Sequence, residues 1–182
     1  MEMTGEQIIP ALQADVWRGL NDPEVLKACI SGCESIEKLT DTEYTVVTTA
    51  AIGPVKAKFR GKLLLADLDP PNSYSLSFDG QGGAAGFGKG SAKVSLSAEA
   101  AGTRLSYTVK AQVGGKLAQI GSRLIDGVAK KMADDFFSAF NRKMAGPATA
   151  AAAPSVAAAP GAAPLWWVVA ILAAMLLLVY LT

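Results

Sequence analysis

The last eighteen residues of the chain, LWWVVAILAAMLLLVYLT, carry no charge. As a helix, the uncharged run 165–181 would measure about 26 Å, at the short end of the range that spans a bilayer. Trp166 and Trp167 lie at one end of the run and Tyr180 at the other, where aromatic residues mark membrane interfaces. A buried core helix is the alternative, but it would usually show a polar face. The run predicts a transmembrane tail anchor over residues 165–182.

Residues 146–164, GPATAAAAPSVAAAPGAAP, connect this run to the rest of the chain. Their prolines and their lack of apolar periodicity predict a semi-stiff linker with a reach of roughly 55 Å. The N-terminus has an acidic residue where a signal peptide needs a basic one, and no apolar segment follows it. We therefore expect a globular domain over residues 1–145, held at the cytoplasmic face of a membrane.

The composition disfavours several classes of function. Seventeen basic and sixteen acidic residues leave almost no net charge, which argues against nucleic acid as a partner. The chain has no histidine, on which acid–base catalysis at neutral pH and many metal sites rely. Cys29 and Cys33 have neither redox nor zinc spacing, and we expect them to be packing residues in a reducing compartment. We expect neither catalysis nor a metal site.

Apolar and polar residues alternate with period two in several segments, which predicts strands of an antiparallel sheet with one exposed face. The segments are EYTVVTTAAI, VKAKFRGKLLL, SYSLSFDG, AKVSLSAEA and TRLSYTVKAQV. In the second segment the basic residues Lys56, Lys58, Arg60 and Lys62 share the exposed face. That basic row is either a solvated sheet face or a contact for anionic lipid or an acidic partner.

Helical patterns flank these strands. LQADVWRGLNDPEVLKACI predicts two short helices, the second capped by Asn21 or Asp22 with Pro23 in its first turn. From Lys116 onward, apolar residues recur every three or four positions, which predicts one long C-terminal helix. The fold class we expect is α+β, a curved antiparallel sheet wrapped round that helix. Strand glycines such as Gly61, Gly88 and Gly90 would widen a space between the two layers.

The segment DVWRGLNDPEVLKACISGCESIEKL resembles the CoxG family, which is named for its link to carbon monoxide dehydrogenase. That family belongs to the START-like, or SRPBCC, superfamily of helix-grip folds. The residues that carry the resemblance are Val16, Trp17, Leu20, Asp22, Pro23, Glu24, Leu26, Cys29, Ile30, Gly32, Cys33 and Glu34. GFGKGSAKVSL and the Ala/Pro linker with its hydrophobic tail are similar too. Ser31 stands where the family usually has proline, and Gln7 where an apolar residue is expected.

The resemblance implies a ligand cavity between the sheet and the long helix, since START-like proteins usually have one. Ligand cavities are mostly apolar with few polar groups. The predicted ligand-binding residues are Trp17, Leu26, Phe59, Leu63, Phe78, Tyr107, Ile120, Leu124, Val128, Met132 and Gln7. Tyr107 and Gln7 are the expected hydrogen-bond donors to a ligand carbonyl, although each apolar residue could equally be plain core.

The glycine-rich segment GQGGAAGFGKGS partly matches two nucleotide-binding motifs. Both motifs need a helix to follow, so that its N-terminus can face the phosphate. An alternating strand follows here instead, so we reject nucleotide binding and expect a flexible turn at the cavity mouth with Phe87 exposed as a gate.

Two functions remain. The first is a carrier at the bacterial cell membrane, which holds a hydrophobic ligand. The resemblance suggests an isoprenoid quinone, menaquinone or ubiquinone, as acceptor for a cytoplasmic molybdenum-containing carbon monoxide dehydrogenase. The second is a recruitment adaptor that anchors the dehydrogenase and carries no ligand. An enzyme of the polyketide cyclase type shares the fold but is disfavoured by the lack of histidine.

Overall fold

A sheet of seven antiparallel strands forms the frame of the molecule, and the computed structural model describes residues 1–146. The strand order is β1-β7-β6-β5-β4-β3-β2, so that consecutive hairpins form a meander and the first strand pairs with the last. The strands are β1 (Glu2–Ile9), β2 (Cys33–Lys38), β3 (Glu43–Ile52), β4 (Val55–Asp69), β5 (Ser73–Gln81), β6 (Phe87–Glu99) and β7 (Gly102–Gly114).

The helices contribute the second layer. They are α1 (Gln13–Leu20), α2 (Pro23–Cys29), α3 (Lys116–Gln119) and α4 (Ser122–Met144). The Asp22 carboxylate caps α2 by accepting hydrogen bonds from the backbone N–H groups of Glu24 (2.8 Å) and Val25 (3.4 Å). With Pro23 as the first helical residue, α2 begins as the sequence predicts. The α+β helix-grip architecture is confirmed for residues 1–146.

Alternation along the strands separates an inner face from an outer one. In β4 the side chains of Lys56, Lys58 and Arg60 are exposed, whereas Phe59 and Gly61 are half-buried beneath the helices. The basic row therefore lies on the outer face, where strand periodicity predicts it.

The prediction of one continuous helix from Lys116 is wrong at a single point. The chain breaks between α3 and α4 at Gly121, whose φ of 96° lies in the region that glycine adopts readily. After this break Ile125 and Phe140 are buried, while Leu124 is 45% exposed. The three- and four-residue spacing therefore does not form one buried stripe.

Two further segments differ from the sequence analysis or fall outside the structure. The edge strand β2 was not predicted, because CESIEK shows no clear alternation. Within residues 1–146 no helix combines the length and apolar character that a membrane span requires. The predicted anchor over 165–182 and all but the first residue of the predicted linker over 146–164 lie outside the described residues.

A closed core fills one end of the space between the layers. Its fully buried side chains include Ile9 on β1, Val16 on α1, Leu105 on β7 and Phe140 near the end of α4. The Thr103 side chain is also buried, and its hydroxyl donates to the Ala11 carbonyl at 2.8 Å. This packing fixes the C-terminal half of α4 against the sheet.

Candidate functional site

The other end of the space between the layers is hollow. Two adjoining cavities lie there, and Ile30 and Leu63 line both. The first, which we call the tyrosine lobe, has a volume of about 330 Å³ and includes Tyr44, Tyr74 and Tyr107 in its lining. The second, the glycine lobe, has a volume of about 420 Å³ and includes the inner-face glycines Gly61, Gly80 and Gly88. Nearly all other lining side chains are apolar, as ligand cavities require.

Two of the tyrosines in the tyrosine lobe differ in their hydrogen bonding. The Tyr44 hydroxyl donates to the backbone carbonyl of Asn21 at 3.1 Å. Tyr74 is only 7% exposed, and its ring meets Trp17 edge to face with 5.5 Å between the ring centroids. Burial, with a smaller contribution from Tyr44, raises the pKa of the Tyr74 phenol far above its usual value. Tyr74 therefore stays neutral and remains able to donate a hydrogen bond.

Tyr107 forms the side wall of the tyrosine lobe. Its ring stacks on Phe137 with 5.3 Å between centroids, and its phenol lies directly over Gly5 of β1. A side chain at position 5 would collide with that phenol, so this glycine makes room for the tyrosine. Burial raises the pKa of Tyr107, and the charge of Asp134 on α4 adds to the increase. Tyr107 thus separates the apolar lobe from a polar crevice between β1 and α4.

Glycines on three adjacent strands form the floor of the glycine lobe. Strand pairing places Gly61 beside Gly80, and Gly80 beside Gly88. Val46 and Val113 continue this row at its two ends. Because neighbouring strands lie about 4.8 Å apart, the row from Gly61 to Gly88 crosses roughly 10 Å of sheet without a side chain.

The rim of the glycine lobe is apolar and partly exposed. Met132 on α4 lines the lobe and is 38% exposed. Nearby, Leu124 packs against the turn at Gly53 between β3 and β4 and is 45% exposed. Exposed apolar side chains at a cavity rim are typical of an entrance for an apolar ligand.

Six of the predicted ligand-binding residues come together in the two lobes. Leu26 and Tyr107 line the tyrosine lobe, and Leu63 lines both. Phe59, Phe78 and Met132 line the glycine lobe.

The other five predicted residues lie outside the lining of the two lobes. Gln7 lines the polar crevice beside Tyr107, and Trp17 lies behind Tyr74 in the core. Ile120 and Leu124 lie against the Gly53 turn, and Val128 is half-buried on α4. The break at Gly121 explains the helical part of this difference, because it ends the uniform helix on which the predicted stripe depends.

Several lining residues were not predicted as site residues. On β3 the inward residues Val46, Thr48, Ala50 and Ile52 line the glycine lobe. Their alternation is weak in EYTVVTTAAI, because the outward residues include valine and alanine. Tyr74 was predicted to face inward but not to bind ligand. Only the strand register shows that Gly80 lies between Gly61 and Gly88.

The structure also bears on the motifs that were set aside. The glycine-rich segment forms a single 3₁₀ turn at Gly83–Ala85 and leads into β6, so no helix follows it. Phe87 is not an exposed gate, because its half-buried ring packs over Gly114. Among residues 1–146 no three histidine, cysteine or carboxylate side chains cluster to hold a metal ion. Cys29 is buried and burial raises its thiol pKa, as expected for a packing cysteine.

A seven-stranded meander that encloses an apolar cavity with a long C-terminal helix defines a START-like binding protein. The chain belongs to the CoxG family of carbon monoxide dehydrogenase, whose model matches residues 5–145. A conserved protein of Geobacillus kaustophilus has a similar structure, with 34% identity over 80% of this chain and 95% of its own, at a TM-score of 0.75. A Thermus thermophilus protein shares the fold at 18% identity and a TM-score of 0.61, over 79% of this chain and 97% of its own. None of the curated proteins matches the chain.

Proposed function

We propose that the protein is a membrane-tethered carrier of an isoprenoid quinone, menaquinone or ubiquinone, which it delivers as electron acceptor to a cytoplasmic molybdenum-containing carbon monoxide dehydrogenase. The two-lobed apolar cavity is the observation that carries this proposal. Membership of the CoxG family supports the choice of dehydrogenase. The predicted anchor over 165–182 would hold the carrier where quinone is stored.

The chemistry of the two molecules is complementary. Oxidation of carbon monoxide by water yields carbon dioxide, two protons and two electrons. A quinone that takes up two electrons and two protons becomes a quinol, so the two reactions balance. The protein contributes a cavity that shields the apolar part of the quinone from water. The tether raises the local concentration of the carrier at the membrane.

Native mass spectrometry of the full chain, purified in mild detergent from its own host and combined with lipid extraction, tests this proposal. We expect about one quinone per chain. The matched variant Leu63→Trp places a larger ring between the two lobes and should abolish co-purification while the circular dichroism spectrum is kept. A chain that contains no quinone and takes none up from added menaquinone or ubiquinone would refute the carrier function.

The outer face of the sheet favours the second candidate, a recruitment adaptor. Lys56, Arg60 and Lys93 are exposed there and form no ion pair within residues 1–146. Such cations complement an acidic protein surface. Pull-down of the dehydrogenase separates the two functions: the adaptor predicts that Arg60→Glu with Lys93→Glu abolishes binding and that Leu63→Trp has no effect on activity at the membrane. The carrier predicts that Leu63→Trp eliminates electron transfer to quinone even though the enzyme is still bound.

A further inference from the structure

The two ends of the cavity lie on a single strand. The inward residues of β5 are, in order, Tyr74, Leu76, Phe78 and Gly80. At about 3.4 Å per residue, Tyr74 and Gly80 are about 20 Å apart along the sheet. The combined cavity is therefore elongated, with a phenol at one end and a glycine floor at the other.

The Tyr74 hydroxyl is a polar group of a buried residue and lacks a partner within the described part of the chain. Tyr74 lines the tyrosine lobe and is 7% exposed, yet its hydroxyl makes no hydrogen bond to any of residues 1–146. The neighbouring Tyr44 hydroxyl, by contrast, donates to a backbone carbonyl. A buried hydroxyl without a partner costs free energy. A ligand oxygen that accepts a hydrogen bond from Tyr74 would remove that cost.

Most inner-face glycines near the cavity are covered by an aromatic ring of the protein. The Phe59 ring lies over Gly82, and Cζ of Phe78 comes within 2.8 Å of the position that a Cβ on Gly90 would take. The Tyr107 phenol covers Gly5 in the same way. At these positions the protein's own packing explains why no side chain is present.

Gly80 and Gly88 are different, because nothing in the described part of the protein needs the space above them. A Cβ on Gly80 would meet only the Gly88 carbonyl oxygen, at 3.6 Å, and a Cβ on Gly88 only Cγ1 of Val113, at 4.0 Å. Neither residue has a positive φ that would call for glycine. Glycine inside a strand is destabilising relative to a residue with a side chain. The space above Gly80 and Gly88 is thus kept open at a cost in stability.

We propose that the cavity binds an elongated amphiphile in one orientation, with an oxygen atom at the Tyr74 hydroxyl and a hydrocarbon chain across Gly80 and Gly88. The proposal rests on the carrier function and adds the direction in which the ligand lies. The oxygen-bearing end is buried beside Trp17, and the chain leads to the apolar rim at Leu124 and Met132. Tyr74 positions the head of the ligand, and Gly80 and Gly88 select for a slim chain.

Three probes separate the head from the chain. Menadione has the quinone ring without a chain, menaquinone-4 has both, and phytane has a branched chain without oxygen. Binding of each probe to the full chain in mild detergent is measured by native mass spectrometry. The variants are Tyr74→Phe, which removes only the hydroxyl, and Gly88→Val, which fills the space over the glycine. Their matched controls are Tyr107→Phe and Ser95→Val, the latter on the outer face of the same strand as Gly88.

The orientation predicts a distinct pattern. Tyr74→Phe weakens menadione and menaquinone-4 by roughly 2- to 12-fold, the value of one hydrogen bond, and leaves phytane unchanged. Gly88→Val weakens menaquinone-4 and phytane by at least about tenfold and leaves menadione unchanged. The two controls bind all three probes like the unaltered chain.

Other results overturn the proposal in identifiable ways. If quinones bind but Tyr107→Phe weakens them and Tyr74→Phe does not, the carrier function stands and the orientation is wrong. If Gly88→Val leaves menaquinone-4 unaffected, the chain does not cross the glycine row. If none of the probes binds the unaltered chain, the orientation and the carrier function fall together. If only phytane binds, the quinone assignment and the role of Tyr74 fall and the chain site remains.

Thermal unfolding of the ligand-free variant gives an independent check. Because the Tyr74 hydroxyl has no partner in residues 1–146, Tyr74→Phe should keep or raise the melting temperature. A marked decrease would show that the hydroxyl has a structural role, and would contradict its assignment to the ligand.

Discussion

The two halves of α4 pack very differently against the same sheet. In the C-terminal half, Phe137 and Phe140 are 9% and 0% exposed and belong to the closed core. In the N-terminal half, Leu124 and Met132 are 45% and 38% exposed, and the sheet beneath presents glycines. One helix therefore stabilises the fold with one half and covers a cavity with the other. This division allows the cavity to stay open without loss of the fold.

Truncation in the closed half should have the largest effect on stability. Phe140→Ala removes a fully buried ring, and we expect the free energy of unfolding to fall by about 3–5 kcal/mol. Met132→Ala, on the same helix over the cavity, should cost less than about 1 kcal/mol. Urea unfolding of both variants of the full chain in mild detergent makes the comparison. Equal losses would mean that the two halves of the helix are equally packed.

An added methyl group should distinguish the covered glycines from the open ones. In Gly90→Ala the new Cβ collides with the Lys110 carbonyl oxygen and the Phe78 ring, and we expect a loss of about 1–3 kcal/mol. Gly88→Ala meets no such obstacle and should raise stability by about 0.5–1 kcal/mol. Chemical denaturation of the two variants measures the difference. A destabilising Gly88→Ala would show that the floor of the glycine lobe is already filled by the protein.

The smallest effect concerns an ion pair at the sheet edge, away from both halves of α4. Hydrogen bonds from the Lys58 ammonium and then from the Thr49 hydroxyl lower the pKa of the Glu34 carboxyl. A carboxyl whose pKa is lower in the folded state stabilises the fold above its unfolded pKa, and this contribution is lost as the pH falls through the folded value. We expect Glu34→Gln to flatten slightly the decline of the melting temperature below about pH 4.5. An unchanged decline would mean that the exposed pair is fully screened.

The inner face of the sheet could be predicted well from the sequence, because strand periodicity is strict. Phe59, Leu63 and Phe78 all line the cavity as their alternation predicts. The helical prediction failed where a local backbone feature overrode periodicity. Since Gly121 interrupts the helix, Ile125 is buried instead of Leu124.

What could not be predicted depends on contacts between distant segments. The glycine row forms only because the pairings of β4 with β5 and of β5 with β6 bring Gly61, Gly80 and Gly88 side by side. A shift of one residue in either pairing would dissolve the row, and no local pattern specifies that register. The free hydroxyl of Tyr74 is likewise invisible in sequence, because its neighbour Tyr44 differs from it only in tertiary contacts.

The open floor beneath α4 also means that loading and folding are thermodynamically linked. A molecule that binds only the folded chain raises the free energy of unfolding by about 2.7 kcal/mol when its free concentration is 100 times its dissociation constant. The cargo thus acts as a removable part of the hydrophobic core. A chain that has released it returns to a less stable state and unfolds more often. Protein turnover would therefore act first on empty carriers, and their lifetime in the cell would report the supply of cargo.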